Sequence, residues 1–196
     1  MIKIKNFIFA NRSYTPIPLF TLILYFSSVE YPFYIIGLSF MLFGECIRIN
    51  AVRYAGGRTR TTKVGAPSLT VKGPYSVSRN PLYLGNMIIY IGVVFLAGGP
   101  YLRELIIVVF TFFSIQYALI ISLEEKVLTK IFEDEYINYC LNVPRFLPKS
   151  ATWIHSPKHQ LSLIKTFKTE KRTLQNISLV VLLIFIKPHI LNLLNW

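Results

Sequence analysis

The segment Gly-Pro-Tyr-Ser-Val-Ser-Arg-Asn-Pro-Leu-Tyr-Leu-Gly, residues 73–85, joins a polar loop directly to a long apolar run. The glycine and proline at its start predict a turn. Asn80 followed by Pro81 predicts a helix start, with asparagine as the N-cap and proline at the first helical position, where a missing N–H costs nothing. The free N–H groups at that helix end, together with Arg79, favour an anionic ligand group. A membrane helix is therefore expected to begin here and to form part of a binding site.

The apolar run continues as a helical hairpin. Residues 82–97 and 105–123 are predicted as membrane spans, and the sequence Gly-Gly-Pro at 98–100 predicts the turn between them. Because the second span returns the chain to the side that it left, Glu124 and Glu125 are expected beside the Arg79 corner. Acids at the C-terminal end of a helix oppose its dipole, so another interaction must favour this pair.

The N-terminal part predicts further membrane segments. Residues 1–16 suit a segment on the membrane surface, and residues 17–28 are too short for a full span unless they recruit residues 7–10 or tilt. Residues 33–49 form a longer apolar run and predict a second membrane span.

The predicted span at residues 33–49 contains two glycines and a pair of opposite charges. Gly37 and Gly44 permit close contact with another helix. Glu45 is costly inside a bilayer, and Arg48, one turn away, is its expected ion-pair partner.

The chain after the acidic pair is mixed in character. Apolar residues recur at helical spacing over residues 127–139, which predicts an amphipathic helix parallel to the membrane surface. A basic segment follows, and then an apolar run at residues 177–186 that Lys187-Pro188-His189 interrupts. This last run fits either a kinked span or a segment in the interface.

Composition limits the function classes. The 196 residues are 53% hydrophobic and carry a formal net charge of +12, but the basic residues lie between apolar runs and no zinc-finger or RNA-binding signature is present. Lipid headgroups, and not nucleic acid, are therefore the expected partner of this charge. Cys46 and Cys140 are isolated and the three histidines are scattered, so neither a disulfide framework nor a metal site is expected.

These features predict an all-α integral membrane protein with four to five transmembrane helices and a pocket at one membrane face. Nineteen of the 21 lysines and arginines fall on the side of that pocket, which the positive-inside rule assigns to the cytosol. We expect N-terminal membrane helices at residues 1–54, a core at 55–149, and a basic tail with an apolar segment at 150–196.

Three separated blocks of sequence carry a family resemblance. They are Gly73-Pro74-Tyr75 with Arg79-Asn80-Pro81-Leu82-Tyr83-Leu84-Gly85, then Glu124-Glu125, and finally Phe132, Glu135-Tyr136, Tyr139 and Val143-Pro144-Arg145 with Pro148. In order and spacing, over roughly residues 66–149, these blocks resemble the isoprenylcysteine carboxyl methyltransferase family and its phospholipid methyltransferase relatives. The resemblance implies an enzyme that takes S-adenosylmethionine from the cytosol and methylates a prenylated or otherwise lipid-bearing acceptor.

The resemblance also implies the site residues. The residues that would hold the cofactor are Pro67, Ser68, Leu69, Thr70, Tyr75, Arg79, Asn80, Pro81, Tyr83, Glu124 and Glu125. As a hypothesis, Arg79 and Glu124 do the catalytic positioning: Arg79 and the helix end at Asn80 hold the cofactor carboxylate, while Glu124 accepts hydrogen bonds from its ammonium or ribose hydroxyls. Arg145 is a candidate for substrate contact. No metal is required.

Two positions depart from the family pattern. Asn80 stands where the family usually has histidine, and an amide cannot serve as a proton relay. Ile120 stands where eukaryotic members have an arginine that contacts substrate, which weakens the case for an isoprenylcysteine carboxylate. Methylation of a phospholipid amine or a small thiol, or a membrane protein without activity, are the alternatives. Each block alone fits a structural role, and only their joint order favours function.

Overall fold

The computed structural model describes residues 2–56, 64–148 and 160–193, and these residues are mainly helical. Six α-helices occur in them, together with a short 3₁₀ turn at Gly73–Ser76. The helices are α1 (Ile2–Asn11), α2 (Pro16–Tyr25), α3 (Phe33–Ala55), α4 (Pro81–Ala97), α5 (Leu102–Asn142) and α6 (Leu163–Leu193). The expected all-α fold is confirmed.

Three of the helices, α3, α5 and most of α6, are long and apolar enough to cross a membrane. The apolar helix α4 is slightly shorter, with 17 residues. Helix α2 has ten residues, which span about 15 Å and therefore only half of a hydrocarbon core. It does not recruit residues 7–10, because a turn separates it from α1. The count of four to five spans stays a prediction.

Helices α3 and α4 pack with their backbones in contact. A Cβ atom added to Gly37 would lie 2.6 Å from the carbonyl oxygen of Gly92, and one added to Gly44 would lie 2.7 Å from that of Gly85. The glycines on each helix are seven residues apart, so one stripe on each helix meets the other. The close contact expected from Gly37 and Gly44 is confirmed, and α4 supplies the matching stripe.

Helices α4 and α5 form the predicted hairpin. Gly98 and Gly99 both have positive φ angles, of 60° and 87°, which only glycine adopts at little cost. The rings of Tyr83 and Tyr117 pack along the hairpin, with centroids 4.7 Å apart. Two turns farther along α4, the ring of Tyr90 stacks on that of Phe113 of α5, with centroids 3.8 Å apart.

Helix α5 differs from the prediction. It continues past Glu124 and Glu125, so these acids lie within a helix and not at its C-terminus. The argument that they oppose a helix dipole was therefore wrong, and their partners are side chains. A break lies within the predicted amphipathic segment, at Glu133, whose φ of 43° and ψ of −119° are not helical. Beyond it, Tyr136 and Tyr139 are buried as the apolar periodicity predicted.

Helix α6 contains the last apolar run. It passes through Pro188 without ending, and its residues 163–191 form a candidate span. Lys187 donates hydrogen bonds to the carbonyl oxygens of Tyr25 and Ser27, at 2.7 and 2.9 Å, and so attaches α6 to the end of α2. The C-terminal helix is thus part of the helical bundle.

A buried charge cluster joins α3 to α6. The expected pair forms, with Arg48 Nε 3.2 Å from Glu45 Oε2. The Nη2 atom of Arg48 is also 2.6 Å from Glu170 Oε2 on α6, and its Nη1 atom donates to the side-chain oxygen of Asn86 on α4. Arg48 therefore connects three helices.

Replacing Arg48 with methionine is expected to lower the free energy of unfolding by about 3–5 kcal/mol, because Glu45 and Glu170 would be left buried without their cation. Thermal unfolding of purified protein in detergent measures the effect. Arg103→Met removes an exposed arginine from α5 and serves as the control. Equal unfolding temperatures for the two variants would contradict the prediction.

Candidate functional site

Three charged side chains meet where α4 begins. Arg79 Nη1 lies 3.5 Å from Glu125 Oε1, and the backbone N–H of Arg79 donates to the carbonyl oxygen of Pro144 at 2.9 Å. Arg145 binds the same carboxylate with two nitrogens, and its Nε atom lies 3.0 Å from Oε1. The hydrogen bonds that Arg145 donates to the Glu125 carboxylate raise the pKa of Arg145. The hairpin therefore brings the acidic pair to the arginine corner, as predicted.

Glu124 has a different environment from its neighbour. The Tyr83 hydroxyl donates to Glu124 Oε1 at 2.9 Å, and Glu124 forms no ion pair within the described part of the chain. Arg12, in the turn between α1 and α2, is close enough for its charge to act on this carboxylate. Glu124 thus keeps capacity to accept hydrogen bonds from a ligand.

Asn80 has the predicted position but not the predicted contact. It is the N-cap residue of α4, and Pro81 is the first helical residue. Its side chain makes no capping hydrogen bond and instead donates to the carbonyl oxygen of Arg145 at 3.0 Å. The expectation that the Asn80 side chain caps the helix is therefore wrong. The N–H groups of the first turn remain available for an anionic group.

The segment before the corner packs on the end of α5. Leu69 and Val71 contact the buried core formed by Tyr136, Tyr139 and Val143. The Tyr139 hydroxyl also donates to the carbonyl oxygen of Tyr75 at 2.7 Å. This packing holds the loop against the helix and over the corner.

The phenol of Tyr75 faces the corner as well. Burial and the nearby Glu124 carboxylate raise the pKa of Tyr75, so its hydroxyl remains protonated. Tyr75 can therefore donate a hydrogen bond or pack against a ligand, but it does not supply a charge.

One cavity of about 930 Å³ connects the corner with the interior of the bundle. Its polar part is lined by Arg12, Ser68, Thr70, Tyr75, Arg79, Asn80, Tyr83, Glu124 and Glu125. Its apolar part runs between the helices and is lined by Ile17, Phe20, Ile23, Met41, Ile89, Val93, Val109, Phe113, Ile177, Val180 and Leu183. A ligand with one polar and one apolar end matches this division.

Most of the residues predicted to hold the cofactor line this cavity: Ser68, Leu69, Thr70, Tyr75, Arg79, Asn80, Tyr83, Glu124 and Glu125. Pro67 is exposed and Pro81 is buried at the helix start, and neither is part of the lining. Arg145 lies outside it and contacts Glu125. The roles of all these residues stay predictions.

Sequence reasoning missed the contribution of α6. Glu170, Thr173 and Ile177 line the cavity, although they follow the segment of family resemblance. Glu170 is the only acid among residues 150–196, and it was a usable signal because a lone acid in a basic, apolar segment needs a cationic partner. Arg12 was likewise assigned to a surface segment, whereas it lines the cavity.

The donor and acceptor groups present fit an adenosyl amino acid. The Nε atom of Arg79 is buried without a hydrogen-bond partner among the described residues, so it can bind a ligand carboxylate. Glu124 can accept from an ammonium group or a ribose hydroxyl. The cavity volume is within the range of small-molecule sites, about 300–1,000 Å³. No group of three or more metal-binding side chains occurs in the described ranges.

The comparison with known proteins agrees with this geometry. The family model described as phospholipid methyltransferase matches residues 32–135, which is more than half of the chain and includes α3, α4, the corner and the acidic pair. No curated protein and no solved structure gave a match. With three helices suited to spanning a membrane and a family match of this extent, the chain belongs to the phospholipid methyltransferase family of integral membrane methyltransferases.

Proposed function

We propose that this protein transfers a methyl group from S-adenosylmethionine to an acceptor carried by a lipid, at a site that faces the cytosol. The observation that carries the proposal is the single cavity that joins a charged corner to an apolar passage between helices. A water-soluble cofactor and a lipid-borne group can meet in such a cavity, since each finds surroundings that match its own polarity.

The proposed roles follow from the contacts. Arg79 offers an unpartnered Nε atom to the cofactor carboxylate, and the first-turn N–H groups of α4 act on the same charge. Glu124, oriented by the Tyr83 hydroxyl, accepts from the ammonium or ribose hydroxyls. Arg145 neutralises Glu125, which leaves Glu124 as the corner carboxylate without an ion pair in the described chain.

The chemistry requires positioning more than proton transfer. When bound, S-adenosylmethionine would supply a methyl group activated by its sulfonium. An acceptor held in line would bond to the methyl carbon as the carbon–sulfur bond breaks, with S-adenosylhomocysteine as the leaving group and without a metal. The protein must align the two reactants and exclude water, and such alignment can contribute about 7–11 kcal/mol to lowering a barrier. The amide of Asn80 donates to the carbonyl oxygen of Arg145 and so holds the segment at Arg145 against the start of α4. A thiolate or carboxylate acceptor needs no proton relay, so asparagine is compatible with this reaction.

The sequence resemblance and the family match favour different acceptors. The resemblance to isoprenylcysteine carboxyl methyltransferases favours a prenylated cysteine carboxylate, whereas Ile120 in place of the substrate-binding arginine and the phospholipid methyltransferase match favour a phospholipid amine. A small thiol is the third candidate.

Purified protein in lipid nanodiscs should bind S-adenosylhomocysteine by calorimetry and should transfer a labelled methyl group to one member of a panel. The panel comprises phosphatidylethanolamine, farnesylcysteine and a small alkyl thiol. Transfer to farnesylcysteine alone would assign the isoprenylcysteine activity. Binding without transfer to any acceptor would favour a non-catalytic family member, and an absence of binding would refute the proposal.

A further inference from the structure

A second polar region lies deeper in the same cavity, among apolar residues. Gln116 is on α5, eight residues before Glu124, which places it about 12 Å farther from the corner along the helix. Gln116 lines the cavity, as do Phe113 and Tyr117 on the same helix. The proposal below rests on the proposed function, because it concerns the acceptor that this cavity receives.

Other polar residues that line this cavity are paired with one another. Arg48 donates to the side-chain oxygen of Asn86 and binds Glu170. These contacts leave Gln116 outside the network.

Gln116 is only 5% exposed, and its Oε1 atom has no hydrogen-bond partner within the described ranges. A buried amide oxygen without a partner destabilises the folded chain relative to an apolar side chain of the same shape. The position of the Gln116 amide in the cavity wall is explained if a ligand donates a hydrogen bond to the Oε1 atom.

We propose that Gln116 determines acceptor specificity, by accepting a hydrogen bond from an N–H or O–H group of the lipid-borne acceptor. The cofactor is a poorer source of this donor. It carries several charges, which favour the corner with Arg79 and Glu124. The deeper passage is lined by Val109, Phe113 and Ile89 together with Arg48 and Glu170, whose charges are already paired with each other. An acceptor with apolar chains can reach this depth.

The variant Gln116→Met tests the proposal, because methionine has a similar shape and no hydrogen-bonding amide. In the absence of acceptor, the variant should unfold at the same temperature as the wild type or a higher one, since it removes the unpaired oxygen. Its KM for the acceptor that the wild type methylates should rise about 5- to 10-fold, with unchanged affinity for S-adenosylhomocysteine. Gln175→Met, at an exposed position of α6, is the matched control.

A binding measurement makes the test independent of turnover. Phosphatidylethanolamine and phosphatidylcholine with identical acyl chains differ in that only the first has N–H donors. The wild type should be stabilised more by phosphatidylethanolamine, or by farnesylcysteine, than by phosphatidylcholine, and Gln116→Met should lose the difference.

Three results would overturn the role of Gln116: no preference for a donor-bearing lipid in the wild type, the same preference in the variant, or a loss confined to S-adenosylhomocysteine affinity. Failure of the proposed function is a separate result, because it appears as a wild type that does not bind S-adenosylhomocysteine.

Discussion

Replacing Glu124 with glutamine is expected to weaken the binding of S-adenosylhomocysteine by about 10- to 100-fold, the range for losing hydrogen bonds to a charged acceptor. Glutamine preserves the shape of the side chain and can still accept from Tyr83, whose hydroxyl lies 2.9 Å from Oε1. The charge that would bind the ammonium or ribose hydroxyls is lost. Methyl transfer should fall at least as far as binding, because the reactants would be less well aligned.

Calorimetry in nanodiscs measures this affinity. Arg79→Ala is expected to have a similar effect, and its fold should survive because Glu125 keeps its contact with Arg145. Glu104→Gln, an exposed acid at the other end of α5, is the matched control and should bind like the wild type. Unchanged affinity in both Glu124→Gln and Arg79→Ala would refute the assignment of this corner to the cofactor.

Replacing Gly37 with leucine is expected to disrupt the packing of α3 against α4. A Cβ atom there would lie 2.6 Å from the Gly92 carbonyl oxygen and 2.7 Å from the Cα atom of Leu96, so backbone and not a flexible side chain opposes it. Helices α3 and α4 would have to separate, at a cost of about 3 kcal/mol or more. The separation would also disturb Arg48, which contacts both α4 and α6.

The expected result is an unfolding temperature lower by roughly 6–12 °C, or a protein that does not accumulate in folded form. Size-exclusion chromatography and thermal unfolding in detergent measure it. Ser39→Leu adds the same side chain two residues away, at an exposed position of the same helix, and should behave like the wild type. If both variants fold equally well, the backbone contact between α3 and α4 is not the basis of this packing.

Local sequence signals were sufficient for much of the fold. Gly98 and Gly99 predicted the turn of the hairpin because their conformations are costly for other residues, and the hairpin alone then required Glu124 and Glu125 to return to the Arg79 corner. Gly37 predicted a close helix contact because a residue without a side chain lets a neighbouring backbone approach. Each of these conclusions depends on properties of a few neighbouring residues.

Other features depended on contacts between distant segments. The sequence suggested that α5 ends near Glu124, because the hydrophobic run stops there. The helix instead continues to a break at Glu133, and the turns beyond that break pack against the loop at Leu69 and Val71. Asn80 has the composition of a capping residue, yet its side chain binds the carbonyl oxygen of Arg145, 65 positions away. Local propensity cannot indicate which of two partners an amide selects.

By itself, the sequence of this protein determined a helical membrane chain, a hairpin and a charged corner, because periodicity, turn residues and helix-start residues act over short distances. Only the tertiary structure decided which helices enclose the cavity. Glu170 on α6 and Arg12 before α2 reach it through packing of segments that lie more than a hundred residues apart. Burial is a property of that assembly, so the unpartnered oxygen of Gln116 became visible only there.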